Sequence, residues 1–95
     1  MNAPTTPRYA LVTGAGSGIG RVTAQALLDD GWAVALAGRR AEPLQALADE
    51  AVRRGQTALA IPTDVTDPAS VQALFDTIER AWGRLDLLFN NAGVN

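Results

Sequence analysis

The sequence predicts an α/β fold built on an open, doubly wound parallel sheet. Three observations predict it. Short, nearly continuous apolar runs alternate with longer segments whose apolar residues recur at helical spacing. Each of those longer segments is followed by a glycine, at Gly31, Gly55 and Gly83, where a helix commonly stops. The first apolar run, YALV, opens into TGAGSGIG, which packs four glycines into the eight residues from Thr13 to Gly20.

The elements follow in order. Tyr9 to Val12 is a short apolar run that ends at the glycine loop and suits a buried strand. From Gly18 to Asp30, Ile19, Val22, Ala26 and Leu27 stand at offsets 0, 3, 7 and 8, which predicts one apolar helix face. Ala33 to Ala37 is the second strand, and GRR turns the chain after it. Leu44, Leu47, Ala48, Ala51 and Val52 give a second helical stripe. Thr57 to Ile61 is the third strand. Asp67 followed by Pro68 predicts a helix N-cap with proline at the first helical position. Val71, Leu74, Phe75, Ile78 and Trp82 form the third stripe, and Leu85 to Phe89 the fourth strand. The order is therefore β-α-β-α-β-α-β. Strands that are apolar throughout, rather than alternating, are those covered on both faces. Right-handed crossovers between them build the doubly wound sheet.

Composition removes several function classes. The chain has 95 residues, enough for one small domain that buries about 60–65% of its unfolded surface. Eight basic and ten acidic residues leave a net charge of −2, which is no nucleic-acid footprint. Cysteine and histidine are both absent, so thiolate chemistry, disulfides and the commonest metal ligands have no residue to use. No apolar run approaches the roughly 20 residues that span a bilayer. MNAPTTPR lacks the apolar segment of a signal peptide, so residues 1–7 are expected to be a frayed tail and the protein cytoplasmic.

A strand, a glycine-rich turn and a helix start make an anion site. Glycine lets the backbone approach a phosphate, and the helix start offers unpaired N–H groups with about half a positive charge. A merely tight turn needs one or two glycines, not four. The spacing is not that of a P-loop, since neither Gly14 nor Gly16 is followed by glycine, lysine and Ser/Thr at the required distance. Nor is it G-x-G-x-x-G. It is T-G-x-x-x-G-I-G.

With two further motifs, that spacing resembles the N-terminal part of a classical short-chain dehydrogenase/reductase. The motifs are Asp64-Val65 after the third strand and Asn90-Asn91-Ala92-Gly93 after the fourth. The likeness runs from Arg8 to Val94, and it implies a Rossmann-type domain truncated after its fourth strand over residues 8–95. It implies that Gly14, Gly16, Ser17, Gly18, Ile19 and Gly20 line the pyrophosphate and adjacent ribose of a nicotinamide dinucleotide. Asp64 would accept from the adenine amino group and Val65 would flank the ring. Read from the residue alone, Asp64 serves equally well as a turn or capping aspartate. Asn91, Ala92 and Gly93 would lie near the nicotinamide ribose, and Asn90 would tie the fourth strand to its neighbours. Ligands in such sheets bind beyond the carboxyl ends of the strands, at the switch point between first and fourth.

The residues after the second strand bear on the cofactor. An NAD site usually has an acid there to bond the ribose 2′-hydroxyl. Gly38 stands in its place, followed by Arg39 and Arg40. A guanidinium fork matches a 2′-phosphate, and such a charged contact contributes about 1.5–3 kcal/mol. NADP(H) is favoured over NAD(H), with Arg39 the main contact and Arg40 assisting. The competing reading has both arginines covering the surface, one paired with Glu42. Ser17, where many NADP-using relatives carry a second base, weakens the case.

The family transfers hydride between nicotinamide and a carbonyl or alcohol, using a Ser…Tyr-x-x-x-Lys set downstream of the asparagine motif. This sequence has no lysine, and its one tyrosine, Tyr9, lies in the first strand. The chain alone is expected to be inactive, with a small-molecule substrate met only in a longer form and no nucleic-acid or membrane partner. Two other functions remain open: a non-catalytic nucleotide-binding module, and an interaction protein that self-associates through an apolar fourth-strand edge.

Overall fold

The computed structural model describes residues 7–91. Seven elements follow one another: β1 (Tyr9–Thr13), α1 (Gly18–Asp29), β2 (Ala33–Gly38), α2 (Ala41–Arg53), β3 (Ala58–Pro62), α3 (Pro68–Trp82) and β4 (Leu87–Phe89). The expected tail lies almost wholly outside the described residues.

The four strands form one parallel sheet in the order β3-β2-β1-β4. Tyr9 pairs with Ala33 and Thr13 with Ala37 at the two ends of the β1–β2 ladder, while Ala10 meets Leu87 on the other side of β1. Alternate strand residues serve two cores. Ala10, Val12, Val34 and Leu36 pack with Ala24 and Leu28 of α1 and Leu44, Leu47 and Ala48 of α2. Leu11, Ala35 and Ala37 pack with Leu74 and Ile78 of α3. The chain thus steps from β1 to β3 with its helices on one face, then returns over the other face to place β4 beside β1. Changing face with direction keeps the hand of the crossover constant.

Local chemistry explains the ends. The carboxylate of Asp67 accepts from the Ala69 N–H at 3.0 Å, with Pro68 at the first position of α3. Gly31, Gly55 and Gly83 close the three helices with φ of 91°, 78° and 74°. Each helix also carries a Gln-to-Asp hydrogen bond one turn apart, Gln25–Asp29, Gln45–Asp49 and Gln72–Asp76, at 2.9–3.0 Å. Such pairs add about 0.2–0.5 kcal/mol each.

Five expectations need correction. The apolar face assigned to α1 is the wrong one. Ile19 and Val22 are 68% and 70% exposed and Ala26 is exposed, while Gly20, Ala24 and Leu28 are buried and Leu27 packs beside them. The helix lies so close to the loop after β1 that only small residues fit beneath its first turns. In α2 the stripe holds except at Val52, and in α3 except at Phe75, both exposed. Each stands at the margin of its stripe, turned from the sheet. β4 begins at Leu87, not Leu85, because Asp86 replaces a ladder bond: its carboxylate accepts from the Tyr9 N–H at 2.9 Å. Coverage on both faces is complete only for the two central strands, since β3 and β4 are edges with half-buried or exposed residues.

Candidate dinucleotide site

The carboxyl ends of all four parallel strands lie on one side of the sheet, and the predicted residues that the structure describes follow those ends. The loop after β1 carries Gly14, Gly16, Ser17 and Gly18, and α1 begins at Gly18. Gly14 and Gly18 have φ of 64° and 57°, the left-handed region where a side chain is strained. They turn the chain sharply from β1 into α1. Ala15 is buried, and its N–H donates to the Ala37 carbonyl of β2 at 3.0 Å, which fastens the loop to the sheet.

Gly20 supplies the closest approach. A β-carbon there would lie 2.7 Å from the carbonyl carbon of Gly14, nearer still to its oxygen, and 3.1 Å from Nδ2 of Asn91. The start of α1, the loop after β1 and the segment after β4 therefore meet at one glycine.

Ser17 occupies the N-cap position of α1 in an extended conformation, and its side chain makes no capping bond. The first turn of α1 holds no acidic residue. The N–H groups at a helix start have no acceptor within the helix. Their direction and partial charge suit an anion.

β1 and β4 are clamped at the same end. The Thr13 hydroxyl donates to Oδ1 of Asn90 at 2.9 Å and accepts from the Asn91 N–H at 2.8 Å. Thr13 is 6% exposed, so these bonds work away from bulk water. Asn90 thus ties β4 to β1, as expected. The sequence alone gives Thr13 no role. A threonine at a strand's end beside the glycine loop offers no pattern that predicts a partner 77 positions away. Ala92 and Gly93 lie outside the described residues.

Beyond β2 stand Gly38, Arg39 and Arg40. Both arginines are exposed, and among the described residues neither forms an ion pair. Glu42 pairs with neither of them. Next in the row, after β3, come Asp64 and Val65, both half-buried. Oδ1 of Asp64 accepts from the Thr66 hydroxyl at 2.6 Å and the Thr66 N–H at 3.0 Å, which makes it a turn aspartate. Those two bonds, the hydroxyl first, hold its carboxyl below the usual carboxylate range, and the nearby charge of Arg39 adds to the effect. The turn leaves Oδ2 without a bond among the described residues.

A family model described as short chain dehydrogenase matches residues 8–95. The chain belongs to the short chain dehydrogenase family. Members with related sequences include sulfoacetaldehyde reductase 2 of Chromohalobacter salexigens, 43% identical over 84 residues, which are 88% of this chain and 33% of that protein. A metagenomic short-chain oxidoreductase solved in complex with NADP superposes with a TM-score of 0.85 at 38% identity, covering 92% of this chain and 39% of that one. A family member from Burkholderia phymatum in complex with NAD gives 0.82 at 35% identity, covering 86% and 29%. The chain spans about a third of the length of the relatives it matches. Among the described residues no helix is long and apolar enough to cross a membrane, and no group of three metal-ligating side chains is placed to hold an ion.

Proposed function

We propose that this chain is the dinucleotide-binding part of an oxidoreductase that transfers hydride between a nicotinamide and a carbonyl or alcohol, and that its cofactor is NADP(H) rather than NAD(H). The observation that carries the reading is Arg39. It is an exposed guanidinium without an ion-pair partner among the described residues, at a strand end where Gly38 supplies no carboxylate. A dinucleotide with a 2′-phosphate gains a charged fork there, and one without it meets no acid for its 2′-hydroxyl.

The residues present fit such a group. The glycine loop is fixed to β2 through Ala15 and packed directly against α1 at Gly20, while a β-carbon at Gly18 would meet nothing within 4 Å, so the loop's backbone is open to a ligand at the helix start. The backbone of Gly14, Gly16, Ser17, Gly18, Ile19 and Gly20 holds the pyrophosphate. Arg39 takes the 2′-phosphate and Arg40 adds charge. The second oxygen of Asp64 accepts from the adenine amino group while the first keeps its turn, and Val65 supports the ring. Asn91 borders the nicotinamide ribose. When bound, the cofactor supplies or accepts the hydride. This chain is assigned binding and orientation, not proton transfer. Tyr9 stacks on Trp82 with ring centroids 4.9 Å apart, at the opposite end of β1 from the glycine loop.

Fluorescence titration with both reduced cofactors tests the reading. NADPH should bind about tenfold to a hundredfold more tightly than NADH, the range of a charged hydrogen bond. Arg39→Ala should erase most of that difference. Equal or tighter binding of NADH by the unaltered protein overturns the cofactor assignment.

A further inference from the structure

The first turn of α2 touches both halves of the proposed site. Leu44 is fully buried. A β-carbon at Gly38 would lie 3.4 Å from Cδ2 of Leu44, so that side chain fills the space beside the end of β2. The same Cδ2 would lie 3.9 Å from a β-carbon at Gly16, and Cγ of Pro43 would lie 3.3 Å from it. Pro43 and Leu44 are therefore a wedge between the glycine loop and the turn that carries Arg39 and Arg40. That turn has few restraints of its own. Arg40 sits at the N-cap of α2 without a side-chain capping bond, and the nearest fixed point behind it is the Gly38 carbonyl, which accepts from the Thr63 N–H at 2.7 Å.

We infer that Leu44, with Pro43, is a positioning residue for cofactor choice: it sets the spacing between the phosphate-holding loop and the arginine turn. The inference rests on the assignment of Arg39 to a 2′-phosphate. Only a cofactor with that phosphate engages both segments at once, so only its affinity depends on their spacing. NADH engages the loop and has nothing to offer the arginines. Leu44 belongs to the apolar stripe of α2, and its second role arises because the stripe begins beside the loop.

The experiment compares Leu44→Ala, Leu44→Met and Arg39→Ala in the full-length gene product, measuring Kd for NADPH and NADH by fluorescence titration. Leu44→Ala should weaken NADPH about tenfold, the loss expected when a charged hydrogen bond is misplaced, and leave NADH nearly unchanged. Leu44→Met, which conserves volume, should restore the preference. A merely structural role would weaken both cofactors alike, and that result, or no change in either, overturns the inference while a normal Arg39→Ala response keeps the cofactor reading intact. If Arg39→Ala leaves the preference untouched, the cofactor reading falls and the inference with it. Should Leu44→Ala fail to fold, Pro43→Ala decides, since it trims the contact with Gly16 and spares the core. A reduced preference for NADPH supports the inference and an unchanged one overturns it.

Discussion

Gly20 sits so close beneath Gly14 that a β-carbon at position 20 would lie 2.7 Å from the Gly14 carbonyl carbon. The neighbour is backbone, which cannot swing aside as a side chain would. Gly20→Ala should cost about 1–3 kcal/mol or more, the usual range for overpacking, and should weaken dinucleotide binding as the loop is displaced. Gly16→Ala meets the side chain of Pro43 at 3.3 Å and should cost less. Urea unfolding of the two variants checks the order.

The Thr13 hydroxyl holds β4 and the segment after it against β1. Thr13→Val keeps the shape and removes both bonds, leaving Oδ1 of Asn90 and the N–H of Asn91 without that partner. The expected loss is about 1–3 kcal/mol, measured by chemical denaturation. Thr13→Ser keeps the hydroxyl and should fall well short of that loss.

The buried face of α1 can be tested directly. Leu28 is 2% exposed and Val22 is 70% exposed. Leu28→Ala should destabilise by about 2–5 kcal/mol. Val22→Ser should stay within about 0.5 kcal/mol. Comparable losses at both positions would mean that the helix presents a different face.

Acid should unfold the chain partly through Asp86. Its carboxyl is held below the usual range by Arg84, at 2.5 Å, and then by the Tyr9 N–H. A carboxylate whose folded pKa is depressed contributes stability above its unfolded pKa of about 3.9 and loses it as pH falls through the folded value. Asp29, Glu50 and Asp64 are shifted the same way. Thermal midpoints should therefore be level near neutrality and decline from about pH 4 downward. Asp86→Asn should lower the neutral midpoint and flatten the decline. An unchanged slope would remove Asp86 from the account.

Much of the site was legible because it is made of backbone. Four glycines in eight residues, at a strand end and a helix start, predict a sharp turn with open helix-start N–H groups, and the structure has that turn, with Gly14 and Gly18 at positive φ. Arg39 was singled out because its charge follows a strand that ends in glycine, and the structure places it exposed at that strand end. The Thr13 clamp and the contacts of Leu44 beside Gly16 and Gly38 were not, since they are made across the sheet and between successive crossovers.

The sequence by itself determined the order of the elements, the two-sided burial of β1 and β2, and the cap at Asp67, because each depends on near neighbours and on local preferences. Only the tertiary structure decided which face of α1 is buried. Spacing favours the large residues Ile19 and Val22, but a helix pressed against a loop buries its smallest residues, Gly20 and Ala24. It also decided where β4 begins, because the Asp86 carboxylate takes the Tyr9 N–H that a strand carbonyl would otherwise accept. Close approach and long-range competition for one donor are properties of two segments together, and neither segment carries them alone.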